Sequence, residues 1–153
     1  MTYDLLESVT LASAASSVTF SSIDGSYGDL ILVIDVIGSS VEDFLVSFNG
    51  DTTGANYPSV RMRGSGSSAS SGTDTNRQFA HILTHQSSNI LQVMDYAATD
   101  KHKSCLARNG SGSSSVWAYA LRWANTSAIT SIAVATGAGT INSGTLNLYG
   151  VAK

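Results

Sequence analysis

The sequence predicts an all-β protein: an antiparallel β-sandwich of jelly-roll type with ten or eleven strands and minimal helix. Three observations carry this. Apolar and polar residues alternate in short runs, as in 29–37 (DLILVIDVI) and 116–123 (VWAYALRW). Loops rich in Ser, Gly, Thr and Asn separate these runs, as in 64–73 (GSGSSASSGT) and 109–115 (NGSGSSS). No window of helical length holds a 3.6-residue apolar stripe that Gly or Ser leaves unbroken.

The expected strands are 5–11, 17–20, 29–37, 44–48, 59–63, 77–85, 89–96, 103–108, 115–123, 129–135 and 145–149. In 44–48 the side chains of Phe44, Val46 and Phe48 share one face, which is the core face of a strand solvated on the other. The run 29–37 is apolar on both faces apart from Asp35, so it reads as a central strand whose second side is covered by a loop or another subunit. In 116–123, Trp117, Tyr119, Leu121 and Trp123 share one face, and Val116, Ala118, Ala120 and Arg122 the other. Faces of such different bulk imply two different neighbours.

Turn chemistry separates these strands. Asp24-Gly25, Asn49-Gly50 and Asn109-Gly110 tolerate positive φ and suit tight turns or bulges. Pro58, the one proline, opens a strand where its missing N–H costs least. The Ser/Gly stretch 64–73 reads as a long mobile loop within a single domain, 1–153, because the chain on either side holds too few strands to close a sandwich alone.

Composition narrows the function classes. The chain has 153 residues, 12% of them charged, and a net charge of -3, which disfavours capture of a phosphate backbone; no nucleic acid is expected as partner. No stretch approaches the roughly 20 apolar residues of a membrane helix, and the amino terminus lacks a basic, apolar leader. The expectation is therefore synthesis in a cytoplasm, without a signal peptide and without membrane attachment. Cys105 is the one cysteine, so no internal disulfide forms; it reads as a small buried hydrophobe.

The Gly/Ser segments around Ser65, Ser67 and Ser111 lack the strand-to-helix elbow of a serine hydrolase. His81 and His85 in one strand lie about 13 Å apart, too far to share a metal. His102 falls in the charged segment 100–103, read as a solvated loop. The cluster 49–56 (NGDTTGAN) offers hard oxygens, but its spacing misses the EF-hand pattern, so a network of Asx hydrogen bonds is favoured over calcium. Tyr27, Tyr57, Tyr96, Trp117 and Trp123 are either core or a sugar-stacking platform. The sequons at Asn109 and Asn125 read as chance. The expectation is a protein that is not an enzyme, with no catalytic, cofactor or metal site.

The opening YDLLESVTLASAASSVTFSSIDGSYGDLILVIDV, the segment FNGDTTGANYPSVRMRGSGSSASSG, the stretch ALRWANTSAITSIAVATGAGTINSG and the ending TLNLYGVAK resemble a family of small virion proteins of tailed bacteriophages. The resemblance spans nearly the whole chain and is strongest in FNGD…NY and the final LYG. It implies a sandwich or jelly-roll module that either cements the capsid or serves in a tail appendage, and it transfers no catalytic residue. The leading expectation is a capsid decoration (cement) protein on the virion surface, its partner the major capsid protein and its own assembly a homotrimer. Contacts are expected on Met1, Thr2, Tyr3, Asp4, Leu5, Leu6 and Glu7 and on one sheet edge. The alternative is a tail-appendage receptor-binding module that recognises a host glycan through its Ser/Gly loops and exposed aromatics.

Overall fold

The structure, a computed structural model, describes residues 2–111 and 115–153. Twelve strands form two antiparallel sheets, so the protein is an all-β sandwich. In chain order they are β1 (Tyr3–Thr10), β2 (Ser17–Phe20), β3 (Asp29–Gly38), β4 (Glu42–Phe48), β5 (Ser59–Gly64), β6 (Ala69–Asp74), β7 (Gln78–Ile82), β8 (Ser87–Met94), β9 (Lys103–Ser111), β10 (Val116–Trp123), β11 (Ile132–Thr136) and β12 (Ile141–Val151). A single 3₁₀ turn, Gly54–Asn56, is the one helical element among the described residues.

The larger sheet has the order β1-β12-β3-β8-β9-β10-β5-β6, the smaller β2-β11-β4-β7. The first four strands of the larger sheet, together with β9 and β10, which pack on β7, cover the smaller one, and consecutive strands β1 to β2, β3 to β4, β7 to β8 and β11 to β12 change sheets. That is the four-plus-four connectivity of a jelly roll. Two hairpins, β5–β6 and β9–β10, extend the larger sheet beyond β8. Both are insertions between jelly-roll strands.

The core lies between the sheets. Leu30, Leu32, Ile34 and Val36 of β3, Phe44, Val46 and Phe48 of β4, and Ile132 and Val134 of β11 are all buried, as period-two alternation requires. Phe48 packs against Tyr57 and Trp123, and Phe44 stacks on Phe79. Two glycines are there because side chains do not fit. At Gly144, φ is +128° and a Cβ would meet the Asp35 carbonyl oxygen at 2.1 Å, so β12 can approach β3 only without one. At Gly150 a Cβ would lie 2.4 Å from the Tyr27 ring.

Three sequence expectations change. The stretch 64–73 is not one long loop: its turn is confined to residues 65–68, and Ala69–Asp74 pairs with β5 along its length. Small polar residues conceal this strand from a hydrophobicity pattern, because its partner supplies the hydrogen bonds. Asn109 and Gly110 lie within β9 and pair with β10, whereas Asn49 (φ 52°) and Gly50 (φ 73°) do make a left-handed tight turn. The strand expected over 77–85 ends at Ile82, leaving His85 exposed in the connection to β8.

Candidate functional site: the outer face of the large sheet

A sheet in a sandwich normally turns polar side chains outward. The large sheet does not. Cross-strand register aligns Leu5, Tyr149, Ile31, Gln92, Leu106, Ala120, Val60 and Thr73 in one row across all eight strands. The next row holds Ser8, Asn147, Val33, Ile90, Arg108, Ala118, Met62 and Ser71. Both rows lie on the face opposite the core, and across their four central strands every position but Gln92 and Arg108 is aliphatic.

The sheet is concave here. These side chains line a groove of about 690 Å³, with Tyr3 and Tyr149 at one end and Val60 and Met62 at the other. The jelly-roll strands β12, β3 and β8 supply one half and the inserted hairpins the other. Among the described residues seven large hydrophobic side chains are exposed, and six of them, Tyr3, Leu5, Val60, Met62, Leu106 and Val116, belong to this face. Gln92 is tied to Asp29 at 3.1 Å. Arg108 projects from the groove with no hydrogen bond or ion pair to any described residue.

The predicted contact segment falls partly on this face. Tyr3 lines the groove and Leu5 joins its first row. Leu6 packs inward against the core instead, and a register shift between Leu5 and Glu7 follows it. Thr2 closes the strand end through its carbonyl, which accepts from Ala152 N at 3.0 Å. Asp4 lies opposite Gly150, and Met1 is outside the described residues. β1 is also an edge strand, so the segment and a sheet edge coincide.

The other candidate residues are structural. Tyr57, Tyr96 and Trp123 are fully buried and are core rather than platform. Trp117 is half-buried, with His81 at 4.5 Å between ring centroids and the Arg63 guanidinium 4.9 Å from its ring. The 49–56 cluster forms the Asx network: Asp51 accepts from Thr53 N (2.9 Å), Asn56 Nδ2 (2.8 Å) and Trp123 Nε1 (2.8 Å). Burial raises the Asp51 pKa, but these donors outweigh it and hold the carboxyl below its usual value. Tyr57 Oη bridges the same loop, donating to the Asp51 carbonyl at 2.9 Å and accepting from Phe48 N at 2.9 Å.

Lys103 corrects the reading of 100–103 as solvated throughout. Its side chain is fully buried, and Nζ donates to the carbonyls of Ala98, Lys101 and Thr126. Desolvation lowers its pKa. His81 Nδ1 lies 3.6 Å from Asp43, but desolvation outweighs that carboxylate and lowers the imidazole pKa, which favours the neutral ring. Cys105 is buried, and desolvation pushes its thiol pKa far up. Among the described residues no group of three His, Cys, Asp or Glu is placed to hold a metal.

No family model, curated protein or solved structure matches the chain. The groove's geometry therefore carries the functional argument.

Proposed function

We propose that this chain is a non-enzymatic bacteriophage virion protein, a capsid decoration protein that seats on the major capsid protein lattice through the outer face of its large sheet. The observation that carries this reading is the apolar, concave face itself. Strand spacing gives its two rows a span of about 34 Å across eight strands, so the exposed apolar side chains form one continuous patch rather than scattered residues. The sequence resemblance to phage virion modules supports the choice of partner.

Energetics favour many weak attachments. Covering six half-exposed large side chains yields roughly 6 kcal/mol, against an association cost of about 4–15 kcal/mol. A single contact is then marginal, whereas an array of linked copies binds by avidity. Such an array would clamp neighbouring capsomers against internal pressure.

The test uses heads assembled without this protein. Adding it back should give saturable binding and raise their resistance to heat, and Leu106→Lys should abolish both. Labelling found only on tails, or full heat resistance in its absence, would overturn the reading.

A further inference from the structure

We propose that β6, the outermost strand of the large sheet, pairs antiparallel with β6 of a second copy, joining two large sheets about a two-fold axis. Such a pair leaves the groove free, and it differs from the homotrimer that the sequence resemblance implies. A free sheet edge is ordinarily blunted by charge, a bulge or shortness, because its unpaired backbone groups otherwise template another strand. Three of the four edges here are blunted. β1 has a register shift between Leu5 and Glu7 and carries Asp4 and Glu7. β2 has four residues. β7 pairs with β4 through a register shift at Phe44 and Leu45, and the Trp117 ring lies against its His81. β6 has none of these devices. It follows β5 in unbroken register over six residues, holds no proline, lysine or arginine, and buries none of its side chains fully. Its one charge, Asp74, is turned back onto Arg61 at 2.5 Å.

The ladder fixes which backbone groups are free. Arg122 N donates to the Pro58 carbonyl at 3.1 Å, and Ser65 N to the Ser68 carbonyl at 2.9 Å. Hydrogen-bonded pairs alternate along an antiparallel ladder, so either bond places the β5–β6 bonds at Ser59/Asp74, Arg61/Gly72 and Arg63/Ser70. The N–H and C=O groups of Ala69, Ser71 and Thr73 therefore point away from β5, and no turn or further strand bonds them among the described residues.

A second β6 matches this pattern. With Ser71 facing its own counterpart, Ala69 falls opposite Thr73 on both sides of the axis, and all the free positions exchange bonds. Asp74 falls opposite Ser68, so no like charges meet. The contact is isologous and closes at two copies, using up both open edges, whereas β6 laid on the bulged, acidic β1 of another copy would be heterologous and would repeat into a filament. The axis is perpendicular to the joined sheet. Both grooves then open on the same side, which makes the pair bivalent.

A six-residue strand contact lies at the small end of interfaces, so the full chain is weighed by sedimentation equilibrium up to about 500 μM, with circular dichroism as the control for fold. Wild type should approach twice the 15.9 kDa chain. Ser71→Pro should be folded but monomeric, because the lost N–H serves only the free edge. Ser71→Lys and Ser71→Glu should each be monomeric, since like charges then face each other across the axis, and an equimolar mixture of the two should recover the paired mass. A wild type that stays monomeric or settles at three copies, a folded Ser71→Pro that still pairs, or a Lys and Glu mixture that stays monomeric overturns the proposal. If Ser71→Pro does not fold, the Lys and Glu variants decide. The mass is read without heads, so failure here leaves the capsid reading standing, and failure of head binding leaves the pair standing.

Discussion

Replacing Asp51 by Ala removes the carboxylate that ties the β4–β5 connection to β10. The indole N–H of Trp123, 1% exposed, then loses its 2.8 Å acceptor in a place water does not reach. An unpaired buried donor costs about 1–3 kcal/mol; the Thr53 amide rehydrates, and the half-buried Asn56 amide recovers part of its bonding. The total is about 3 kcal/mol, which for a domain of this size lowers Tm by about 9 °C. Asp51→Asn, which keeps one acceptor oxygen, should lose about half as much. The pH dependence fixes the sign of the argument. Because the folded pKa of Asp51 is depressed, its stabilisation is fully present above the unfolded value of about 3.9 and is lost as pH falls through the folded pKa. The gap between wild type and Asp51→Asn should hold from pH 7 to about 5 and narrow below about 4. Guanidinium unfolding followed by tryptophan fluorescence measures both. An Asp51→Ala variant within about 0.5 kcal/mol of wild type at pH 7 would refute the network's role.

Lys103→Met should cost about 2–4 kcal/mol in the same assay, because three carbonyls lose a charged donor while the replacement fills the same space. Gly144→Ala should destabilise by about 2–4 kcal/mol and show as lost amide protection in β3 and β12, since the Cβ strikes the Asp35 carbonyl at a φ that Ala resists. Met62→Lys, at a side chain 62% exposed, should change Tm by less than about 2 °C yet weaken binding to heads. A large loss of stability from Met62→Lys would mean that the groove is structural.

Much of the fold is legible in the sequence because burial imposes period two. The alternation in 17–20, 29–37 and 116–123 predicts strand identity, which β2, β3 and β10 carry, and in 44–48 it also predicts the inward face that β4 buries. β6 is hidden because ASSGTD has no apolar face; its structure comes from pairing with β5, a contact local pattern does not encode. The groove is half legible. The apolar second face of 29–37 and the small face of 116–123 both signal an additional neighbour, but only the register across eight strands aligns Ile31 with Leu106 and Val60. Val60 and Met62 alternate with Arg61 and Arg63, so their strand reads as an ordinary solvated one until the sheet curls around them.

The sequence by itself determines the all-β class, most strand positions and the burial of Phe44, Val46 and Phe48, since these follow from the backbone's two-residue repeat and the cost of exposing apolar area. The tertiary structure alone decides which hairpins extend the sheet, where its concavity lies, and that Arg108 lines an apolar groove with no counter-charge among the described residues. Those depend on the pairing of residues far apart in the chain, where order and register are set by the packing of the whole sandwich rather than by any one strand.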